Sequence, residues 1–291
     1  MLSRRLFLRS LGLGLLGSAA LASYALAIEP RFRLVTTGYR LRPNGWPALE
    51  KPLRVVALAD IHACEPWMPV SRIQAIVETA NELRPDLIVL LGDYVAGMRR
   101  FRTGIVPMRD WGAALARLSA PLGVYGILGN HDWWTDVDNV RATLVGHGVT
   151  VLENDARLLR PGAAPAFWLA GLGDQIAIPL GPGHFKGVDD LDGTMRQIND
   201  DSPVIMLAHE PDIFPKMPAR VSLTLCGHTH GGQVWLPFLG RPIVPSAYGQ
   251  RFAYGSILED GRQMIVSGGL GCSIMPVRLG VPPEIVLIEL G

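Results

Sequence analysis

The stretch LRVVALADIH, residues 53–62, joins a run of apolar side chains to two polar ones. Residues 53–59 form a nearly continuous apolar run of strand length, which is typical of a strand buried on both faces of a sheet. Because side chains alternate along a strand, Asp60 and His62 lie on the same side of the chain. The stretch therefore predicts a core strand that ends in two side chains able to bind one ion together.

The same arrangement, an apolar run followed by a polar motif, recurs at four later places. Helices are predicted between the first three runs, from Ser71 to about Leu83 and around 111–118. This alternation predicts parallel strands, whose carboxyl ends share one edge of the sheet, so we expect the motifs to converge in space. The later runs and motifs are 87–91 before Gly92-Asp93, 123–128 before Gly129-Asn130-His131, 204–208 before His209, and 221–226 before Gly227-His228-Thr229-His230.

The five motifs contain five of the seven histidines of the chain, together with Asp and Asn side chains. Imidazole and carboxylate are the usual protein ligands of Zn, Fe and Mn. The shortest motifs are weak signals on their own, because Asp-x-His occurs on surfaces and an Asp after a strand often caps a turn. The motifs at 129–132 and 227–232 are more specific, and the glycines of the second allow close approach of the backbone to ions. The candidate ligands are Asp60, His62, Asp93, Asn130, His209, His228 and His230.

The composition predicts one compact α/β domain over residues 53–291, preceded by a linker and edge strand over 29–52. Of the 291 residues, 48% are hydrophobic and 18% are charged, which argues against disorder. A formal net charge of +1 gives no broad basic surface, so no nucleic-acid partner is expected. The three cysteines are too widely spaced for a disulfide framework or a Cys-rich zinc module. Further helices are predicted at 136–147 and 189–199, and further strands at 32–36, 149–152, 167–172, 252–258, 263–266 and 284–289.

Residues 1–28 have the composition of a sorting segment. Three arginines precede an apolar stretch over 11–28, and no acidic residue occurs before Glu29. The motif SRRLFLR, residues 3–9, resembles a twin-arginine export signal. The alternative is an uncleaved membrane anchor, because the apolar stretch approaches the length of a spanning helix. The chain is therefore expected to meet the twin-arginine translocase during export and to be periplasmic or associated with the inner membrane.

In their order along the chain, the motifs resemble the pattern D-x-H, GD, GNH, H and GHxH of the calcineurin-like metallophosphoesterase superfamily. The matching segment spans residues 60–230. The longer forms at 92–95, 209–212 and 227–233, and the segment 271–285, are similar to a bacterial branch whose members often carry a twin-arginine signal or a membrane segment. The resemblance implies an α/β fold of the metallo-dependent phosphatase type: a four-layer α/β/β/α sandwich of two mixed β-sheets flanked by helices.

The resemblance also implies two divalent or trivalent metal ions, and the ligand types leave their identity open among Mn, Fe and Zn. In this superfamily one carboxylate bridges the two ions, and each ion has its own further ligands. Carried over motif by motif, the first ion takes Asp60, His62 and His230, both ions share Asp93, and the second takes Asn130, His209 and His228.

Some residues are also candidates for roles other than metal binding. His131 occupies the place of a residue beside the metals and is the candidate to protonate the leaving group. Asp132 is expected either to orient His131 or to lie at the surface as an ordinary polar residue. The candidate substrate-binding residues are Asn130, His131 and Arg278.

The implied function is a metal-dependent phosphoric ester hydrolase, either a phosphodiesterase or a pyrophosphohydrolase, in which a hydroxide bridging the metals attacks phosphorus. Its partner would be a phosphate-ester substrate, with lipids and envelope precursors among the candidates, and a membrane surface is a second candidate partner. One alternative is UDP-2,3-diacylglucosamine pyrophosphohydrolase of lipid A biosynthesis, whose cytosolic substrate requires an anchored cytoplasmic domain. Another is a metal-stabilised binding module without hydrolytic activity.

Overall fold

The structure, a computed structural model, describes residues 4–95, 98, 101, 103–160 and 165–291. The helices in these residues are α1 (Arg4–Ser23), α2 (Glu29–Phe32), α3 (Val70–Glu82), α4 (Met108–Leu115), α5 (Asn130–Gly146) and α6 (Leu191–Arg196). The strands are β1 (Val35–Leu41), β2 (Leu53–Leu58), β3 (Cys64–Glu65), β4 (Leu87–Leu90), β5 (Gly104–Ile105), β6 (Val124–Gly126), β7 (Thr150–Val151), β8 (Asp155–Leu159), β9 (Phe167–Gly171), β10 (Ile178–Gly181), β11 (His184–Lys186), β12 (Val204–Leu207), β13 (Leu223–Cys226), β14 (Gly255–Glu259), β15 (Arg262–Val266) and β16 (Glu284–Leu290).

Two sheets of six strands each form the body of the protein. The first has the order β1-β16-β2-β4-β6-β7. In it β2, β4, β6 and β7 are parallel, whereas β16 is antiparallel to β2 and parallel to β1. The second has the order β14-β15-β13-β12-β9-β8, with four parallel central strands and an antiparallel strand at each edge. Both sheets are therefore mixed.

The inner faces of the two sheets pack against each other. Val55 and Val89 of the first sheet share one buried cluster with Leu169, Ile205 and Leu225 of the second. Alternation along each strand sends the neighbouring side chains to the opposite face, where they must be covered by another layer. The sheets thus form the two middle layers of the fold.

Helices cover the outer faces of both sheets. On the first sheet, Val56 lies in a cluster with Ile73 of α3 and Trp111 of α4. On the second sheet, Met206 lies in a cluster with Phe214, which belongs to the 3₁₀ helix Pro211–Lys216. The predicted four-layer α/β/β/α sandwich is confirmed, and both sheets contribute parallel strands whose carboxyl ends precede the predicted motifs.

Several element boundaries differ from those predicted. Helix α3 begins at Val70, after Pro69, and the hydroxyl of Ser71 does not cap it. Helix α5 begins at Asn130, six residues before the predicted start, and bends at Asp136, where φ is −167° and ψ is 77°. That bend separates the first turn from the regular part, so the apolar periodicity appears only after it. The edge strand starts at Val35, because 29–32 is helical.

The N-terminal helical segment packs its carboxyl end onto the domain. Residues Arg9–Phe32 are long and apolar enough to span a membrane, and few of them are buried. The carbonyl of Ala25 accepts a hydrogen bond from the N–H of Arg278, 2.9 Å away. The buried carboxylate of Glu29 accepts hydrogen bonds from Gly280 and Val281, at 3.1 and 2.9 Å. Residues 1–3, with the first residue of the predicted export motif, lie outside the described residues.

Candidate metal centre

The structure brings the seven sequence-predicted ligands together between the two sheets. Asp60, His62 and His230 form one group whose nitrogen and oxygen atoms lie within 4.8 Å of one another. Asp93 forms a second such group with His209 and His228, and it also groups with His62. Asp93 is therefore the central carboxylate of the cluster, between two sets of imidazoles.

Five of these residues have a left-handed backbone conformation, which is uncommon outside glycine. Such conformations cost free energy and are held in place by the surrounding structure, typically at functional sites. Each occurs just after a strand, where the turn redirects the side chain toward the cluster. The five residues and their φ values are Asp60 (55°), His62 (46°), Asp93 (59°), His228 (67°) and His230 (51°).

Glycines let the motif backbones approach one another at the centre. A Cβ atom on Gly129 would lie 2.7 Å from the nitrogen of Asp93 and 2.8 Å from Cε1 of His209. A Cβ atom on Gly92 would lie 2.7 Å from the nitrogen of Gly129 and 2.8 Å from Nδ1 of His209. These separations are shorter than any ordinary van der Waals contact. The glycines of the GD and GNH motifs are thus required by close packing around the cluster.

Backbone carbonyls set the protonation of two imidazoles. Nδ1 of His62 lies 2.9 Å from the carbonyl of Val95, and Nδ1 of His209 lies 2.7 Å from the carbonyl of Leu91. A carbonyl oxygen only accepts, so each Nδ1 carries a proton, and Nε2 of each ring is directed into the cluster. Nε2 of His209 is buried and has no hydrogen-bond partner with good geometry among the residues that the structure describes.

This arrangement fits cations. Nε2 of His62 is 3.0 Å from Nε2 of His230, and Nε2 of His209 is 3.2 Å from Oδ2 of Asp93. A buried carboxylate surrounded by imidazole nitrogens suits a cation, which would offset its charge. The donor set of imidazole, carboxylate and amide oxygen matches the preferences of Zn, Fe and Mn. The residues present therefore suit metal ions, and nothing in the donor set selects among the three.

Burial and neighbouring charges shift the titration of the cluster. Burial lowers the pKa of His62 to about 3, and it also lowers the pKa of His228 and His230. Burial alone would raise the pKa of Asp93, but the adjacent His209, His131 and His62 outweigh it and hold that pKa well below its usual range. Burial alone would lower the pKa of His209, but the carboxylate of Asp93 outweighs it and raises that pKa well above its usual value. Metal binding requires a deprotonated nitrogen, so a cation at this place would displace a proton from His209.

Hydrogen bonds connect ligand candidates of different motifs. Oδ1 of Asn130 lies 3.0 Å from Nδ1 of His228, so both point at the same space on the Asp93 side of the cluster. The carboxylate of Asp60 accepts a hydrogen bond from the N–H of His228, with N–O distances of 3.0 and 3.1 Å. Each motif thus supports a neighbouring one, and the cluster forms as a unit.

His131 lies beside the cluster and is partly exposed. Its backbone N–H donates to Oδ1 of Asp93 at 2.8 Å, and its ring meets the ring of His62 edge-on at 4.8 Å. Nε2 of His131 is 3.1 Å from the hydroxyl oxygen of Ser273. Burial lowers the pKa of His131. An imidazole at this place can exchange a proton with a group bound at the cluster.

Two expectations from the sequence were wrong. Arg278 is not available to substrate, because it has no exposed surface and its guanidinium donates to the carbonyls of Gly268, Gly271 and Val281. Asp132 neither contacts the ring of His131 nor lies at the surface. It is fully buried and accepts hydrogen bonds only from backbone N–H groups. The guanidinium of Arg278 and the carboxyl group of Asp132 each hold in place a loop that surrounds the cluster.

Two residues next to the cluster were not proposed from the sequence. Asp174 and Glu210 are buried carboxyl groups that form a further metal-compatible group with His209. Burial, together with the charge of Glu210, raises the pKa of Asp174 well above its usual value. Asp174 follows strand β9 after a glycine, as Asp93 follows β4, so the strand-end pattern that identified the other ligands also applies to it.

Comparison with known proteins agrees with this geometry. The metallophosphoesterase YkuE of Bacillus subtilis, described as uncharacterized, is 30% identical over 300 residues, which cover 99% of this chain and 98% of YkuE. Phosphodiesterase YaeI of Escherichia coli is 31% identical, over 82% of each chain. A transmembrane protein with a metallophosphoesterase domain from Danio rerio is 32% identical over 82% of this chain but only 53% of its own length.

The family comparison matches the region that holds the cluster. Residues 53–232, from strand β2 to the end of the last motif, match the family described as calcineurin-like phosphoesterase. That range contains all seven candidate ligands and His131. The chain belongs to the calcineurin-like phosphoesterase family, and it is a metal-dependent hydrolase of phosphoric esters.

Proposed function

We propose that this protein is a dinuclear metal-dependent phosphodiesterase or pyrophosphohydrolase that acts at the cell envelope. The observation that carries the proposal is the pair of inward-directed Nε2 atoms, of His62 and His209, on either side of the carboxylate of Asp93. Two sets of donors that share one carboxylate suit two ions rather than one. The relative named as a phosphodiesterase supports cleavage of diesters over monoesters.

The spatial grouping of the ligands favours one division of them between the two ions. Asp60, His62 and His230 would hold the first ion, and Asn130, His209 and His228 the second, with Asp93 shared. When bound, such a pair supplies Lewis acidity and a nucleophile derived from water near neutral pH. The protein itself contributes the fixed orientation of the imidazole rings, and burial favours the neutral form of His62, His228 and His230.

His131 would transfer the proton that the leaving oxygen needs. The imidazolium form of the ring would donate this proton, and burial lowers its pKa, which makes that form a stronger acid. The contact between the backbone of His131 and Asp93 fixes its distance from the cluster. Asn130 and His131 would also contact the bound phosphate, because both start helix α5 beside the cluster. Arg278 is not part of this proposal, because it is fully buried and cannot contact substrate.

The N-terminal segment supports a location at the envelope. Its contacts through Ala25 and Glu29 favour retention as an anchor over cleavage after the small residues at 25–27, because cleavage there would remove the hydrogen bond to Arg278. The relative named as a transmembrane protein is consistent with an anchored domain. Export by the twin-arginine route would deliver the domain with its metals already bound.

Metal analysis and a substrate panel test the function together. The purified full chain is expected to contain two metal ions per chain and to hydrolyse bis-(p-nitrophenyl) phosphate faster than the monoester. Adding glycerophosphodiesters and UDP-2,3-diacylglucosamine to the panel separates diester from pyrophosphate cleavage. Asp93→Asn should lower both metal content and activity, whereas Asp192→Asn, an exposed change on α6, should alter neither. Full activity of Asp93→Asn with two bound ions would refute the shared carboxylate.

A further inference from the structure

Large apolar side chains are exposed on two loops beside the metal cluster. The side chains of Phe238, Ile243 and Ile274 are 108%, 78% and 67% exposed. Clusters of exposed apolar residues of this kind usually mark an interaction surface. We call the set the apolar rim, and its six members are Trp235, Phe238, Leu239, Ile243, Ile274 and Met275.

Hydrogen bonds join the two loops of the apolar rim into one surface. The side chain of Gln233 donates to the carbonyl of Met275 at 3.2 Å and accepts from the N–H of Ser273 at 2.7 Å. Leu236 and Gly240 exchange backbone hydrogen bonds of 2.8 and 2.9 Å, which close a tight loop with Phe238 at its tip. The rim is therefore a built feature with a fixed arrangement.

The backbone of the rim is held in costly conformations. Phe238 has φ of 68° and Ile274 has φ of 61°, in the left-handed region that bulky and β-branched residues rarely adopt. Neither residue gains burial in return, because both side chains point into solvent. Strained backbone at exposed apolar residues indicates that their side chains contact another molecule or surface.

The rim adjoins the point where the N-terminal helix meets the domain. The N–H of Trp235 donates to the carbonyl of Leu279 at 2.8 Å. The next residue, Gly280, donates to the carboxylate of Glu29 at the end of the helical segment. The apolar helix and the apolar rim thus both contact the same short segment, 278–281.

Aromatic and basic side chains lie close to the end of the N-terminal helical segment. The indole N–H of Trp67 donates to the carbonyl of Leu26 at 3.0 Å, and Arg33 donates to the hydroxyl of Tyr24 at 3.0 Å. Trp, Tyr and Arg are the residues that membrane proteins place at the headgroup layer. A helix that left a bilayer at residues 24–29 would bring segment 278–281, and with it the rim, to that layer.

We propose that the apolar rim docks on the same lipid bilayer that holds helix α1. The bilayer is the occupant that matches the exposed, protruding apolar residues, the aromatic and basic belt and the adjoining apolar helix. Ile274 follows Ser273, whose hydroxyl lies 3.1 Å from Nε2 of His131. Docking therefore brings the metal cluster to the level of the lipid phosphates. This consequence rests on the proposed phosphoesterase function, whereas the docking itself does not.

Site-specific fluorescent labels test the docking in the full chain. The native cysteines at 64, 226 and 272 are buried, so a new exposed cysteine can be labelled selectively. Phe238→Cys places an environment-sensitive dye at the rim. Val145→Cys is the control, because Val145 is 58% exposed and lies about 20 Å from the cluster, at the far end of α5. Each variant is reconstituted into vesicles of phosphatidylcholine and phosphatidylglycerol.

The docking predicts a several-fold difference between the two positions. The dye at 238 should emit at shorter wavelength than the dye at 145 and should be quenched several-fold more by nitroxides on the lipid acyl chains. Equal emission at both positions, with equal quenching by aqueous iodide, would overturn the proposal. Protection of position 238 from iodide without quenching by the lipid nitroxides would assign the rim to a second copy of the chain and would overturn it as well.

Discussion

The carboxylate of Asp132 accepts a hydrogen bond from the backbone N–H of Asp93 at 2.9 Å. It accepts two further bonds of 2.9 Å, from the N–H groups of Gly129 and Tyr94. One buried side chain in the first turn of α5 thus ties the GD motif to the GNH motif. This carboxylate supports the left-handed backbone of Asp93, because it accepts from the N–H groups of Asp93 and Tyr94 in that conformation.

Asp132→Asn should weaken metal binding without touching a metal ligand. The amide replaces one acceptor oxygen with a donor that faces backbone N–H groups, which should cost about 1–3 kcal/mol of stability. Because the loop of Asp93 loses its support, we expect metal affinity to fall by about 10–100-fold. Titration of the metal-free variant with Mn²⁺ or Zn²⁺, followed by calorimetry, measures both effects.

Asp138→Asn is the matched control for that change. Asp138 lies on the same helix and is exposed, and its ion pair with Arg141 lies in solvent. Such a pair contributes little to stability. Wild-type metal affinity in Asp132→Asn would show that the Asp93 loop keeps its conformation without the buried carboxylate.

The strand-end motifs could be predicted from sequence because their logic is local. Apolar runs followed by Asp, Asn or His identify the carboxyl ends of parallel strands, and such ends meet at one edge of a sheet. Arg278 and Asp132 could not be placed in this way. Whether a charged residue is buried depends on which loop carbonyls or N–H groups surround it. For Arg278 these are Gly268 and Gly271, which belong to a loop between two strands of different sheets.

The order of the strands within the sheets could not be predicted from the sequence either. Strand β16, at the end of the chain, lies between β1 and β2 and pairs with both. Local periodicity identifies it as a strand and says nothing of its neighbours, because pairing is decided by which faces remain uncovered. The contact between the N-terminal segment and 278–281 is a long-range feature of the same kind.

His131→Ala should separate metal binding from proton transfer. In the proposed assignment the side chain of His131 holds neither ion, and the backbone N–H that contacts Asp93 is kept in the variant. We expect full metal content with kcat lowered by about 10²–10⁴-fold, which is the usual contribution of a general acid. The loss should be smaller for substrates with a good leaving group, because these need no protonation.

The control for His131→Ala is His184→Ala, which removes an exposed imidazole from strand β11. It should leave kcat and metal content unchanged. If His131→Ala lost metal in proportion to activity, the histidine would be a ligand rather than a proton donor.

Metal removal should lower the thermal stability of the chain. Without cations the carboxylates of Asp60 and Asp93 lose the positive charge that offsets them, while the native fold still buries both. At free metal about 100 times Kd, binding to the native state adds about 2.7 kcal/mol. We therefore expect a higher Tm after adding metal to the chelated protein, and a much smaller rise in Asp93→Asn. An equal rise in both proteins would place the stabilising metal elsewhere.

The cysteines should be unreactive in the native state. Burial raises the pKa of Cys64 to about 11, and it also raises the pKa of Cys226 and Cys272. The thiolate is the reactive form, so at pH 8 it is nearly absent and shielded from reagent. A thiol assay should give almost no signal in buffer and three thiols per chain in denaturant. Rapid reaction of one thiol in buffer would contradict the burial of all three cysteines.

Two alanine substitutions for glycine should have opposite effects. In Gly129→Ala the new methyl group would lie 2.7 Å from the backbone nitrogen of Asp93 and would also collide with the carboxylate of Asp93 and the ring of His209. The backbone must shift, so we expect loss of both metal and activity. Gly146, the last residue of α5, has no atom within 4 Å of an added Cβ. Gly146→Ala should therefore raise stability by about 0.5–1 kcal/mol through helix propensity, with unchanged activity. Denaturant unfolding and metal analysis of the two variants side by side measure the contrast, and normal metal content in Gly129→Ala would show that the GD and GNH loops can separate without disrupting the cluster.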